Sequence, residues 1–136
     1  MSDLQVFARL RVTPAGGFTP SSQAYTLQRL QDTFRILVVK RDGVSKRQTR
    51  RYVPVAAAEA LKQLAQLQRL TVPAFPVSPL VTDGEHLELT VEGQSSSLTL
   101  SWWTIAPDGA EGLAEFANWL RIAGQERGGM QEEEDV

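Results

Sequence analysis

The chain contains no cysteine among its 136 residues and a single histidine, His86. The first absence excludes disulfides, cysteine-ligated zinc, iron–sulfur clusters and thiol nucleophiles, and it suits a reducing compartment. The second leaves any metal site or histidine-based proton transfer dependent on His86 and carboxylates alone. No stretch approaches the roughly 18 apolar residues that a membrane-spanning helix needs. The opening segment MSDLQVFARL lacks a basic run followed by an apolar run of signal-peptide length. The expectation is therefore a soluble cytoplasmic protein with no membrane partner. Phosphate and nucleophile motifs are missing too: there is no G-x-x-x-x-G-K-[ST], no G-x-G-x-x-G after a strand and no G-x-S-x-G. Gly16-Gly17 does not make a phosphate loop by itself, and Ser95, Ser96 and Ser97 read as the polar start of a hairpin strand. Glu88 and Glu92 share a strand face about 13 Å apart. That exceeds the ~5–9.5 Å of glycosidase carboxylate pairs. No catalytic residue, metal ligand set or cofactor is expected, and the chain reads as a non-enzyme.

What is present is a strong partition of charge. Residues 1–52 hold ten Lys/Arg against three Asp, and residues 53–136 hold four against thirteen acids, so a net charge of −2 hides a basic half and an acidic half. Such asymmetry points to an electrostatic role.

The length suits one domain. Leu4, Val6, Ala8, Leu10 and Val12 alternate with Gln5, Phe7, Arg9 and Arg11, which predicts a strand. A Pro/Gly loop over 13–20, a strand over 24–30 and a β-branched strand over 34–40 follow. Asp42-Gly43 predicts a tight type I′ hairpin, with the return strand over 44–53. Pro54 marks a helix start. Over 56–70, Ala57, Ala60, Leu61, Leu64, Leu67 and Leu70 form one apolar stripe. Three prolines between Thr71 and Pro79 force an extended connector, and Asp83-Gly84 is a turn. Leu87, Leu89 and Val91 predict a half-buried strand; Leu98, Leu100 and Trp102 predict its partner. Asp108 with Glu111 resembles a capping box for a final helix whose buried stripe is Leu113, Phe116, Ala117 and Leu120, with Gly124 as its C-cap.

The predicted order is β-β-β-β-α-β-β-α. It describes an α+β domain over 1–124, with an antiparallel sheet of about six strands and two helices on one face. Residues 125–136, with their EEED run, are expected to form a disordered acidic tail.

The sequence also carries a pattern of punctuation. A strand ending in Arg41-Asp42-Gly43 and its return strand lead into the helix AAAEALKQLAQLQRL. A Pro-containing connector, the Asp83-Gly84-x-x-x-x-Leu89 strand and the helix GLAEFANWL complete it. Over residues 24–124 this resembles a loose group of small bacterial α+β domains of unknown function. The resemblance implies an α+β fold and lends no catalytic residues. Members of that group are often exported, whereas this chain shows no export signal at its start.

The sharpest local feature is KRDGVSKRQTRR, residues 40–51, with six positive charges and one negative. Arg41, Lys46, Arg47, Arg50 and Arg51 are candidate binding residues. Guanidinium forks suit carboxylates and phosphates, and a two-stranded ribbon fits a major groove. The same charges also protect a sheet edge from strand addition. They could equally pair with the chain's own acidic half. Trp102 and Trp103 must point to opposite faces of their strand, and an outward Trp103 is a candidate interface anchor. His86 reads as a solvated strand residue, and Glu132–Asp135 as a solubilising run or a decoy for the basic hairpin. The functional expectation is a protein-interaction module for an acidic protein partner or a second copy of itself. The alternatives are a nucleic-acid-binding protein using hairpin 40–51, or an enzyme whose site forms only in the fold.

Overall fold

The computed structural model of the chain describes residues 4–14, 21–69, 85–93, 96–103, 105 and 109–125, together with the backbone of 132–135. Its strands are β1 (Leu4–Pro14), β2 (Ser22–Leu30), β3 (Thr33–Arg41), β4 (Gln48–Val55), β5 (Glu85–Glu92), β6 (Ser97–Trp103) and the short β7 (Glu132–Asp135). Its helices are α1 (Ala57–Leu67) and α2 (Glu111–Gln125). Six strands form an open antiparallel sheet in the order β6-β5-β1-β2-β3-β4, and β7 adds to the β4 edge. The α+β class and the order β1–β4, α1, β5–β6, α2 agree with the alternation read from the sequence. No described helix is long and apolar enough to cross a membrane.

Both helices cover the same face of the sheet. Leu10, Tyr25, Leu27, Ile36 and Leu89 of the strands meet Leu113, Phe116, Ala117 and Leu120 of α2, all buried. Each of the leucine, isoleucine and phenylalanine side chains among them contributes about 1.5–3 kcal/mol by leaving water. Helix α1 covers less. Ala60 is buried and Leu64 and Leu67 pack against the core, but Leu61 is 55% exposed.

The boundaries differ from the sequence expectation in instructive ways. In β1 the register shifts between Val6 and Ala8. This bulge turns Phe7 inward, where it stacks on Phe34 at 5.8 Å, and leaves Val6 exposed. Strict alternation is therefore broken at one residue. Pro54 lies inside β4, opposite Arg35, on the part of the strand that β7 does not cover. An edge tolerates a residue that cannot donate. Helix α1 consequently starts at Ala57, with Ala56 as an N-cap that offers no side-chain bond. Residues 132–135, expected within a disordered tail, pair antiparallel with Gln48–Arg51. The connector 71–79, the Asp83-Gly84 turn and Asp108 lie outside the described residues. Glu111 reaches back to the amide of Gly109, which donates to its carboxylate at 3.3 Å.

Gly124 is not a C-cap but a buried position inside α2, where a Cβ would lie 2.6 Å from the Tyr25 ring. The close approach of helix and sheet there needs a residue without a side chain. Gly124→Ala gains helix propensity of about 1 kcal/mol but incurs an overpacking cost of about 1–3 kcal/mol. A net loss of about 1 kcal/mol is expected in urea unfolding. The β2–β3 hairpin has two central residues, Gln31 and Asp32, and Gln31 adopts φ 57°. The first central position of such a turn favours glycine. Gln31→Gly should stabilise the fold by roughly 0.5 kcal/mol in the same assay.

Candidate interaction surface

The face opposite the helices is built by the alternate residues of every strand. Cross-strand register arranges them in rows. One row runs Ser101, Glu88, Arg11, Ala24, Val39, Arg50 from β6 to β4, and the next runs Thr99, Thr90, Arg9, Thr26, Leu37, Tyr52. Arg41 stands beside Gln48 at one end, and Arg35 at the other. Five arginines thus share this face with two glutamates, Glu88 and Glu92. Arg9 and Arg11 are exposed on β1, while Ala24, Leu37 and Val39 are half-buried between them and Arg50. The result is a shallow concavity of about 780 Å³, with a small apolar floor and arginine walls.

Arg35 is held by its neighbours. Its guanidinium lies 4.2 Å from the centre of the Tyr52 ring, and its Nε donates to Gln28 at 3.1 Å. Gln28 is the one polar side chain buried among the described residues. At the far side, His86 packs against Trp103 with ring centroids 4.9 Å apart, and the hydroxyls of Thr90 and Thr99 lie 3.0 Å apart. No group of three or more metal-ligating residues occurs among the described residues.

The basic hairpin is not a two-residue turn. Arg41 pairs with Gln48, so residues 42–47 form the loop. Asp42 organises it. Its carboxylate accepts from the Val44 amide at 2.8 Å, its carbonyl from Lys46 at 2.8 Å, and its own amide donates to Arg47 at 2.9 Å. The Val44 amide, and after it the Ser45 bonds, hold the Asp42 carboxyl below the usual carboxylate range. The positive φ falls on Lys46, at 60°. A carboxylate that captures nearby amides competes with tight turn closure, which is why Asp-Gly did not set a two-residue loop here.

The candidate residues therefore separate. Arg41 and Arg50 belong to the open face. Lys46 and Arg47 are exposed in the loop beyond it. Arg51 points the other way, donating to the Gly124 carbonyl at 2.7 Å across the core side. Trp102 is buried and Trp103 is 44% exposed, as alternation requires. Trp103 lies on the open face, but five strand steps from β4 put it about 24 Å away from the hairpin arginines. Arg9, Arg11 and the apolar floor were not among the candidates read from the sequence. Their signal was present in the alternation of β1 and β3, whose second faces carry Arg9, Arg11, Arg35 and Arg41.

Compared with protein-family models, with curated proteins and with solved structures, the chain matches none.

Below the open face, Glu85 forms a bidentate pair with Arg121 of α2 at 2.7 and 2.9 Å. The Arg121 hydrogen bonds, and then its charge, hold the Glu85 carboxyl below its ordinary range. A depressed folded value contributes stability above the unfolded value that is lost as pH falls through the folded one. Both partners are partly exposed, so solvent screens the pair and its worth is under about 1 kcal/mol. Glu85→Gln should lower stability slightly at pH 7, and this difference from the parent should vanish when thermal melts are repeated below the ordinary carboxylate range.

Proposed function

We propose that this chain is a non-enzymatic cytoplasmic interaction module, and that its uncovered sheet face binds an acidic protein. One observation carries the reading: the face without helices presents Arg9, Arg11, Arg41 and Arg50 around Ala24, Leu37 and Val39. Arginines at the rim steer an acidic partner and set its orientation, while a central apolar floor supplies contact area. The register of β7 supports it. Glu132 and Glu133 stand opposite Arg51 and Arg50, so an acidic segment of this same chain already runs along the basic edge. Engagement of Glu85 by Arg121 and of His86 by Trp103 gives these two titratable groups structural partners, which favours the non-enzymatic reading.

The test is fluorescence anisotropy with a labelled glutamate-rich peptide, with a single-stranded oligonucleotide of equal charge as competitor. The peptide should bind, and affinity should fall as salt rises. Reversal of both Arg9 and Arg11 to Glu should weaken it about tenfold or more, roughly 1.4 kcal/mol or above. Tighter binding of the oligonucleotide than of the peptide would replace this reading with a nucleic-acid one.

A further inference from the structure

The open face is not uniformly basic: Glu88 and Glu92 lie on β5 beyond β1, and four of its arginines are laid out in two rails. Arg9 and Arg11 stand two residues apart on β1, so their side chains project in the same direction about 7 Å apart along the strand. Arg50 stands on β4 and Arg41 at the end of β3, on the other side. Between the rails lie β2 and β3, which present Ala24, Thr26, Leu37 and Val39. Three strand steps separate β1 from β4, about 14 Å. An α-helix with its side chains is about 10–12 Å across. An extended peptide would occupy about 5 Å of that width and leave one rail unused.

We infer that the occupant of this face is an amphipathic acidic helix of a partner protein, seated over β2 and β3 along the strand direction. This rests on the reading of the open face as an acidic-protein site, and it names the form of the partner. The helix would place a narrow apolar stripe, repeating at three and four residues, on Leu37 and Val39. Small Ala24 allows its backbone to approach closely. Acidic side chains flanking the stripe on both sides would reach Arg9 and Arg11 on one rail, and Arg41 and Arg50 on the other. Recognition by a helix laid in a groove takes this form generally: apolar anchors at i, i+3, i+4 and i+7, with flanking charge fixing orientation. The small floor selects a short stripe, and the two basic rails discriminate against basic amphipathic helices by like-charge repulsion.

The experiment compares two labelled peptides of identical composition with the full chain. One arranges glutamate and leucine so that the leucines form a helical stripe, and the other scrambles them. The striped peptide should bind at least about tenfold tighter than the scrambled one and gain helical circular dichroism on binding. Arg11→Glu and Val39→Glu should each weaken the striped peptide about tenfold while leaving the scrambled one less affected. Arg11 is exposed, so its variant keeps the test valid if Val39→Glu disturbs folding. Equal binding of both peptides would overturn the helix while leaving an acidic-protein site in place. Failure of both peptides to bind would overturn both readings.

Discussion

The last turn of α2 decides which side of this sheet is left uncovered. Gly124 lets the helix backbone descend onto the Tyr25 ring, the Gln125 side-chain Nε2 donates to the Tyr25 hydroxyl at 3.3 Å, and Arg51 binds the Gly124 carbonyl from β4. A cation at a helix C-terminus is favourable in itself, since the last carbonyls lack intrahelical partners. These contacts fix α2 across β2, β3 and β4, and with them the buried stripe from Leu113 to Leu120. Every residue that alternates with that core must then face outward, with no helix above it. The arginines of β1, β3 and β4 are on the open face because their neighbours are in the core.

This geometry gives the charge partition a spatial meaning. The basic half of the sequence is β1 to β4, and the acidic half begins with α1 and continues through β5, β6, α2 and β7. Strand alternation distributes the basic residues to both sheet faces. Arg51 is spent inside the molecule on α2, and Arg35 is fixed by Tyr52 and Gln28. Arg9, Arg11, Arg41 and Arg50 line the concavity. One stretch of sequence with six cations is thus divided between a helix cap, a loop and a surface.

Much of the fold could be read from the sequence because its strands are strongly periodic. Alternation at β5 and β6 and the three-and-four spacing of Leu113, Phe116, Ala117 and Leu120 marked those elements and their buried faces, and the β-branched apolar run over 34–40 marked β3. The bulge at Phe7 and the loop at 42–47 could not be read, because each turns on a local choice that pattern alone leaves open. Phe7 reverses the face of a strand by one inserted residue, and Asp42 spends its carboxylate on backbone amides instead of permitting a tight turn. Gly124 carried a false signal, since a glycine near a helix end fits a cap as well as a close approach. The candidate site was half legible. A dense run of cations draws attention to the hairpin, whereas Arg9 and Arg11 become neighbours of Arg50 only through the pairing of β1 with β2, β2 with β3 and β3 with β4.

The central claim is that binding belongs to the sheet face and not to the helices. Backbone NMR of the full chain, titrated with the striped acidic peptide, tests this most directly. Shifts concentrated at Arg9, Arg11, Ala24, Thr26, Leu37, Val39 and Arg50, with the exposed sides of α1 and α2 unmoved, are the predicted result. Shifts centred on α1 or α2, with the open face silent, would contradict it.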